Sequence, residues 1–355
     1  MRRPRFAGLL LGVLVLTVLA WAPTAAAAPP SKCLIINDAL NASYTSLQAA
    51  QDAASPGATL WVRGTCTGTT EITKNLTLTG QRPAGFTAPT LNGGGQGSVL
   101  TIDSGVTVTI NTLTITGGSG TNVEEAGTIG GGILNNGSVT LNGTSVTGNT
   151  APFGGGIANN GGTVTLNGTS VTGNTAGTNG GGMLNFGTLT LNHSSISGNT
   201  ARQDDGGILN VNSSVTLNNS SSITGNTAAG GDGGGIGNNG GTVTLNDTSS
   251  ITDNTAPNGG GIVNLSGGLV TLNHSSSISG NTAATFGGGI YNIFSGFVTL
   301  NDTSSISGNT AGTDGGGIYN DFTFGGSVTL NDSSSITGNN PNNCAPPGSV
   351  PGCTG

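Results

Sequence analysis

GGGILNNGSVTLNGTSVTGNT, residues 130–150, returns as GGGIYNDFTFGGSVTLNDSSSITGNN at residues 315–340, and the same cassette is written eight times across residues 130–339. Each copy is a glycine run, Ile-x-Asn, a Val-Thr-Leu-Asn segment, then Ser-Ile-Thr-Gly-Asn-Thr. The isoleucine slot falls at Ile133, Ile157, Met183, Ile208, Ile236, Ile262, Ile290 and Ile318, in steps of 24 to 28 residues. A period of this length marks a solenoid, in which each repeat buries its apolar edge only against its neighbours. The three apolar runs per cassette are short, β-branched and alternate with period 2, so they read as strands and not helix pairs. In Val139-Thr140-Leu141, Val and Leu face one side and Thr the other. Three strands per turn, stacked turn on turn, predict an all-β, parallel β-helix, right-handed by the rule for parallel crossovers. At ~4.8 Å per coil, eight coils make a rod about 40 Å long.

Three asparagine columns run through the array. One is Asn135, Asn159, Asn185, Asn210, Asn238, Asn264, Asn292 and Asn320; a second follows each Thr-Leu, from Asn142 to Asn331; a third runs from Asn149 to Asn339. Stacked amides can bond the coils above and below, and asparagine suits tight turns. The second column also creates Asn-x-Ser/Thr sequons such as Asn142-Gly143-Thr144, read as turn chemistry rather than glycosylation. From Asn218 onward one extra residue separates this column from the next inward Val or Ile, and Asp205 replaces the first glycine of a GGG run. A wider cross-section is expected there.

Pairing of Ile/Val-x-Gly-Asn-Thr with Gly-Gly-Gly-Ile-Tyr/Leu-Asn, as in Ile306-Ser307-Gly308-Asn309 and Gly316-Gly317-Ile318, resembles the repeats of chlamydial-type polymorphic outer membrane proteins. Those alternate Phe-x-x-Asn with Gly-Gly-Ala-Ile; here Ile stands for Phe and Gly for Ala. The resemblance covers about 210 residues. It implies a pectate-lyase-like right-handed β-helix and a surface or secreted adhesive role. The family's C-terminal membrane barrel has no expected counterpart in residues 340–355, which read as a C-terminal cap or tail. The calcium-binding acids and the arginine base of pectate lyases also have no counterpart, Arg202 being the one arginine of the repeats.

Residues 1–27 read as a signal peptide: Arg2, Arg3 and Arg5, an apolar run over residues 6–22, then small residues with Ala25 and Ala27 preceding the cut. Export is expected, with an extracellular or cell-envelope location and no membrane span after processing. Residues 28–57 are expected to form an N-terminal cap with one short helix in YTSLQAAQDAA, residues 44–54, because an open first coil would expose strand edges. Irregular coils follow over residues 58–129, with strands at 99–102 and 113–115. Four cysteines in an exported chain predict disulfides, and the local pairings Cys33–Cys66 and Cys344–Cys353 are expected, one at each end.

Glycine supplies 67 of 355 residues and only 6% are charged, which suits an inert polar rod. After the signal segment, Lys32, Arg63, Lys74, Arg82 and Arg202 face fifteen acids, a net charge of −10. Nucleic-acid binding is excluded as an expectation, since phosphate neutralisation needs a basic face.

Candidate chemistry sits in defined slots. After Thr-Leu-Asn the array places Asp247, His274, Asp302 and Asp332 on successive coils about 5 Å apart, an acid–base ladder that would suit glycoside hydrolysis, although these residue types also suit tight turns. Before GGG, Asn179, Asp204, Asp205, Asp232 and Asn258 offer oxygens that could hold Ca²⁺, or are solvated loop residues. No other cofactor is expected. Seven of the twelve aromatics that follow the signal segment lie in residues 286–324. Tyr291 and Tyr319 stand one above the other in the outward slot of Ile-x-Asn, near Phe294 and Phe322; they read as a ligand-binding patch or as a cap over the core. An unbroken column of serines, Ser145 to Ser335, runs beside a Thr/Ser column and resembles the Thr-x-Thr face of ice-binding β-helices.

The sequence thus reads as a secreted, non-catalytic β-helical rod, adhesive or structural, whose partner is a polysaccharide or a host or cell-surface component. The alternative is a carbohydrate-active enzyme of the pectate-lyase-like fold, and a third reading is an ice-binding protein.

Overall fold

The fold is drawn from a computed structural model, which describes residues 32–354. The expected signal peptide lies outside them. The chain is a parallel β-solenoid. Each coil adds one strand to each of several sheets that run along the rod, and the Thr-Leu-Asn sheet collects 13 strands while the Ile-x-Asn sheet collects 11. Pairing is parallel and residue-for-residue in the array: Val139 pairs with Val164, Val146 with Val171, Ile133 with Ile157. Val, Leu and Ile from these three strands fill one continuous core, most of them fully buried.

A fourth, shorter strand joins the three read from the sequence. Thr-Ala after the third asparagine pairs with its equivalents, as in Thr200–Ala201 and Thr227–Ala228, and forms a nine-stranded sheet with the segments before it. Its alanines are buried. Two residues are too few to show a period, so the segment passes for a turn.

Glycines then carry the chain around a corner with no room for side chains. Gly132, Gly156 and Gly182 stack, and a Cβ on each would lie 2.7 Å from the carbonyl oxygen of the glycine in the next coil. Backbone N–H groups bridge the same column, Gly132 donating to Gly156 at 2.7 Å and Gly156 to Gly182 at 3.0 Å.

The asparagine columns are amide ladders. In the first, Asn135 Nδ2 donates to Asn159 Oδ1 at 2.9 Å, and the chain of bonds continues coil by coil to Asn320. Asn320 ends it by donating to the Ser349 carbonyl. In the third, Asn174 Oδ1 accepts both the backbone N–H and the Nδ2 of Asn149, each at 3.0 Å. Both ladders are buried and donate toward the C-terminus. The second ladder lies near the surface and donates the opposite way, Asn167 to Asn142 and Asn192 to Asn167.

The extra residue from Asn218 onward does not enter the sheets. It is taken up in a turn, closed by Ser249 N–H donating to the Asn246 carbonyl at 3.1 Å, while Val215–Val243 and Ile223–Ile251 keep their pairing. The expected widening is thus replaced by an outward turn.

Both ends are covered. Helix Leu47–Ala53, with Ser46 as N-cap, buries Leu47, Ala50 and Gln51 over the first coil. Cys33 is bonded to Cys66, and Cys344 to Cys353. Cys344 extends the Ile-x-Asn sheet beside Ile318, and Val350 is buried against the last coil.

Candidate functional site

The outward slot of Ile-x-Asn is not a free surface. Leu134, Ala158 and Leu184 form a second apolar cluster with Ile129, packed beneath Val123, Ala126 and Phe153. The hairpin Thr121–Val123 with Gly127–Ile129 covers its first coil. The chain arriving at each glycine corner therefore folds over the side of the strand that faces away from the main core.

This stripe is broken at one coil. Leu209 continues it, but the next slot is Gly237, and only at Val263 does a side chain return. A Cβ on Gly237 would overlap the carboxyl of Asp205. Asp205 itself stands at a corner-glycine position and keeps the left-handed backbone, φ 63°. It is 3% exposed. A pocket of about 220 Å³ opens here, lined by Asn179, Asp204, Asp205, Asp232, Asn239 and the apolar Leu209, Val263 and Leu265, with Gly237 at its wall.

The acids are engaged unequally. Asp204 Oδ1 accepts the Asp232 N–H at 2.9 Å, and Asp232 Oδ1 accepts Asn258 Nδ2 at 2.8 Å. The buried Asp205 carboxyl lies against the backbone of Gly237, and Asn179 Oδ1 is buried without a partner. Burial, reinforced by the charges of Asp204 and Asp232, pushes the Asp205 carboxyl well above the usual carboxylate range. Burial also raises Asp232, against the bond from Asn258. The three carboxyls and neighbouring groups do not converge as metal ligands: among the described residues no set of three His, Cys, Asp or Glu is placed to hold an ion.

The ring cluster lies farther along the same face. Phe286, Tyr291 and Tyr319 pack together, with centroids 4.7 Å apart for Phe286–Tyr319 and 5.6 Å for Tyr291–Tyr319. They are half-buried. Burial raises the Tyr291 hydroxyl pKa, with the Asp232 carboxylate the next cause. Asn258 joins rings to acid pocket, its Nδ2 donating to Asp232 Oδ1 at 2.8 Å and its Oδ1 accepting the Phe286 N–H at 3.2 Å. Phe294 and Phe322 sit in the loops after the strand, 52% and 53% exposed. They are not folded over the core; residues 340–354 do that work.

Asp247, His274, Asp302 and Asp332 do stack on consecutive turns. Each carboxylate, however, caps a backbone N–H of the coil before it: Asp247 Oδ2 takes Asn219 N–H, Asp302 Oδ2 takes His274 N–H at 2.8 Å, and Asp332 Oδ2 takes Asp302 N–H. His274 and Asp247 are 63% and 47% exposed, with 3.8 Å between Nδ1 and Oδ1. All four residues have φ of 54–60°. The ladder is a row of solvated turn caps. The serine column is in register from Ser145 to Ser335, and its neighbouring hydroxyls bond one another along the rod, as Thr252 does to Thr224 at 3.0 Å.

Comparison with protein-family models, with curated proteins and with solved structures finds no match for this chain. Function therefore rests on the chemistry of the face.

The sequence singled out Asp204, Asp205 and Asp232, and the structure brings them together around one pocket. It did not single out Gly237, Leu209 and Val263. The signal was available: Asp205 and Gly237 both depart from the cassette in adjacent coils.

Proposed function

We propose that this protein is a non-catalytic, glycan-binding rod, exported and held at a cell surface or in a matrix. The observation that carries the reading is the adjacency of the Phe286–Tyr291–Tyr319 cluster and the acid pocket on one face of the solenoid, joined through Asn258. Half-exposed rings offer platforms for the C–H faces of sugars, and fixed oxygen acceptors beside them orient hydroxyls. The two disulfides fit an oxidising compartment, and no described helix is long and apolar enough to cross a membrane. The repeat's resemblance to polymorphic outer membrane proteins supports the adhesive role. The test is a glycan array on the protein lacking residues 1–27, repeated with EDTA and with Tyr291→Ala/Tyr319→Ala. Binding that disappears in the double variant supports the reading; an array without any bound glycan sinks it. Loss with EDTA would show that a divalent cation takes part in binding.

One observation favours a second reading, hydrolysis of a glycosidic bond. Asp205 is a buried acid with a raised pKa, beside the more exposed Asp232, a division of labour that acid–base hydrolysis uses. Released reducing ends that vanish in both Asp205→Asn and Asp232→Asn would establish it over the binding reading.

A further inference from the structure

Asp205 and Gly237 break the cassette at two positions that touch, and together they open the pocket. Its polar walls are dominated by acceptors: the Asp205 carboxyl, 97% buried, the buried and unpartnered Asn179 Oδ1, and the carboxyls of Asp204 and Asp232, with the amide of Asn239 beside them. No basic side chain answers them. The one ion pair among the described residues joins His274 to Asp247. A ligand that brings donors is therefore favoured, and positive charge is favoured over neutral. The remaining wall is Leu209, Val263 and Leu265, which suits carbon and not a hydrated ion. At about 220 Å³ the space is below the ~300–1,000 Å³ of drug-sized sites and takes one ring. The chain's excess of acids repels polyuronates and similar anionic polymers.

We propose that the Asp204–Asp205–Asp232 pocket receives the free ammonium group of an amino sugar, so that the rod distinguishes deacetylated amino glycans from their N-acetylated and neutral counterparts. The proposal rests on the glycan-binding reading and names the ligand class of that face. The ammonium would hydrogen-bond to the carboxyls that line the pocket without being enclosed by all three, with the sugar ring against Leu209 and Val263 and the next units along the polymer over Tyr291 and Tyr319.

The experiment uses calorimetric titration with short glucosamine oligomers, the same oligomers N-acetylated, and glucose oligomers. The decisive variant is Asp205→Gly/Gly237→Leu, which restores the cassette at both positions and closes the pocket while keeping the fold. Asp302→Asn/Asp332→Asn removes acidic charge from the far turns and controls for diffuse attraction. The expected result is at least tenfold preference for the free amine in the parent, retained in the Asp302/Asp332 variant and lost in the pocket-closing one. Equal affinity for amine and N-acetyl oligomers overturns the proposal while leaving the glycan reading standing, provided Tyr291→Ala/Tyr319→Ala still weakens both. A preference that survives pocket closure, or falls equally in the charge control, also overturns it. Binding of monomeric glucosamine without any oligomer effect of the tyrosines keeps the pocket and overturns the extended glycan reading.

Discussion

The carboxyl of Asp205 stands where the side chain of residue 237 would be in any other coil. Neighbouring coils hold Leu209 and Val263 in that slot, and glycine at the corner that Asp205 occupies. Each substitution is tolerable because of the other. Gly237→Leu alone should overpack the slot and destabilise by about 1–3 kcal/mol. Asp205→Gly alone relieves a left-handed aspartate and a buried acid, and should be neutral or stabilising. The double variant should recover most of the loss, giving a coupling of about 0.5–3 kcal/mol in a denaturation cycle. Additive effects would show that the two positions are independent.

Stability should fall as pH rises from the ordinary carboxylate range through the raised folded-state pKa of Asp205. The folded-state pKa of Asp205 is raised, chiefly by burial, so between its unfolded value near ~3.9 and its folded value the native state binds more protons than the unfolded chain. Its contribution is complete below the unfolded pKa and is lost through the folded one. Asp232 adds in the same direction. Thermal midpoints measured across pH should decline in the parent and flatten in Asp205→Asn. A slope unchanged by the substitution would place the titration elsewhere.

Removing a rung from a buried ladder should be far more damaging than removing one from the surface ladder. Asn226 Oδ1 accepts the backbone N–H and the Nδ2 of Asn199, and its Nδ2 donates to Ile196 and Asn254. Asn226→Ala leaves several buried groups unpaired, at about 1–3 kcal/mol each before relaxation. Asn273, bonded to Asn246 and Asn301 but partly wet, should lose about 1 kcal/mol or less on the same change. Urea titrations of the two variants make the comparison, and equal losses would refute it.

Tyr291→Ala/Tyr319→Ala should weaken glycan binding by about 1–3 kcal/mol, by analogy with bases stacked on aromatic rings. Phe294→Ser and Phe322→Ser, changed in exposed loops, should lower affinity less than the tyrosine pair does. The reverse order would move the platform to the loops.

Opening Cys344–Cys353 should loosen the last coil before any other. The bridge holds Cys344 beside Ile318 and brings Ser349 to Asn320. Closing so short a loop is worth about 2–3 kcal/mol. Hydrogen exchange in Cys344→Ser/Cys353→Ser should speed up first at Ile318–Asn320, with the Asn135–Asn238 rungs unaffected. Uniform acceleration would mean that the rod unfolds as one unit.

Much of this was legible because a solenoid repeats its evidence. Val139, Val146 and Ile133 each recur in every cassette, and period 2 says which of their neighbours point the same way. Both disulfides and the capping helix follow from the need to cover two ends. The buried outward slot was not legible, because alternation states that Leu134 faces away from the core and is silent on what the following backbone covers. The pocket was missed for a related reason. Asp205 read as one more oxygen in a row of Ca²⁺ candidates or solvated loop residues and Gly237 as one more glycine, and only their contact, across 32 residues of chain, turns two irregularities into one cavity.

The opposed amide ladders have a consequence for growth. Since every rung hands its bond to an identical rung, a coil can be copied into the middle of the array and find its partners waiting, whereas a coil cannot be turned over without setting donor against donor. Duplication therefore lengthens the rod in one sense only, and what halts the lengthening is the pair of plugs, Leu47–Ala53 at one end and the Cys344–Cys353 loop at the other. Stripped of the second plug, the last coil would offer Asn320 and Asn339 as open donors to any like coil that met it, and a monomer would become the seed of a filament.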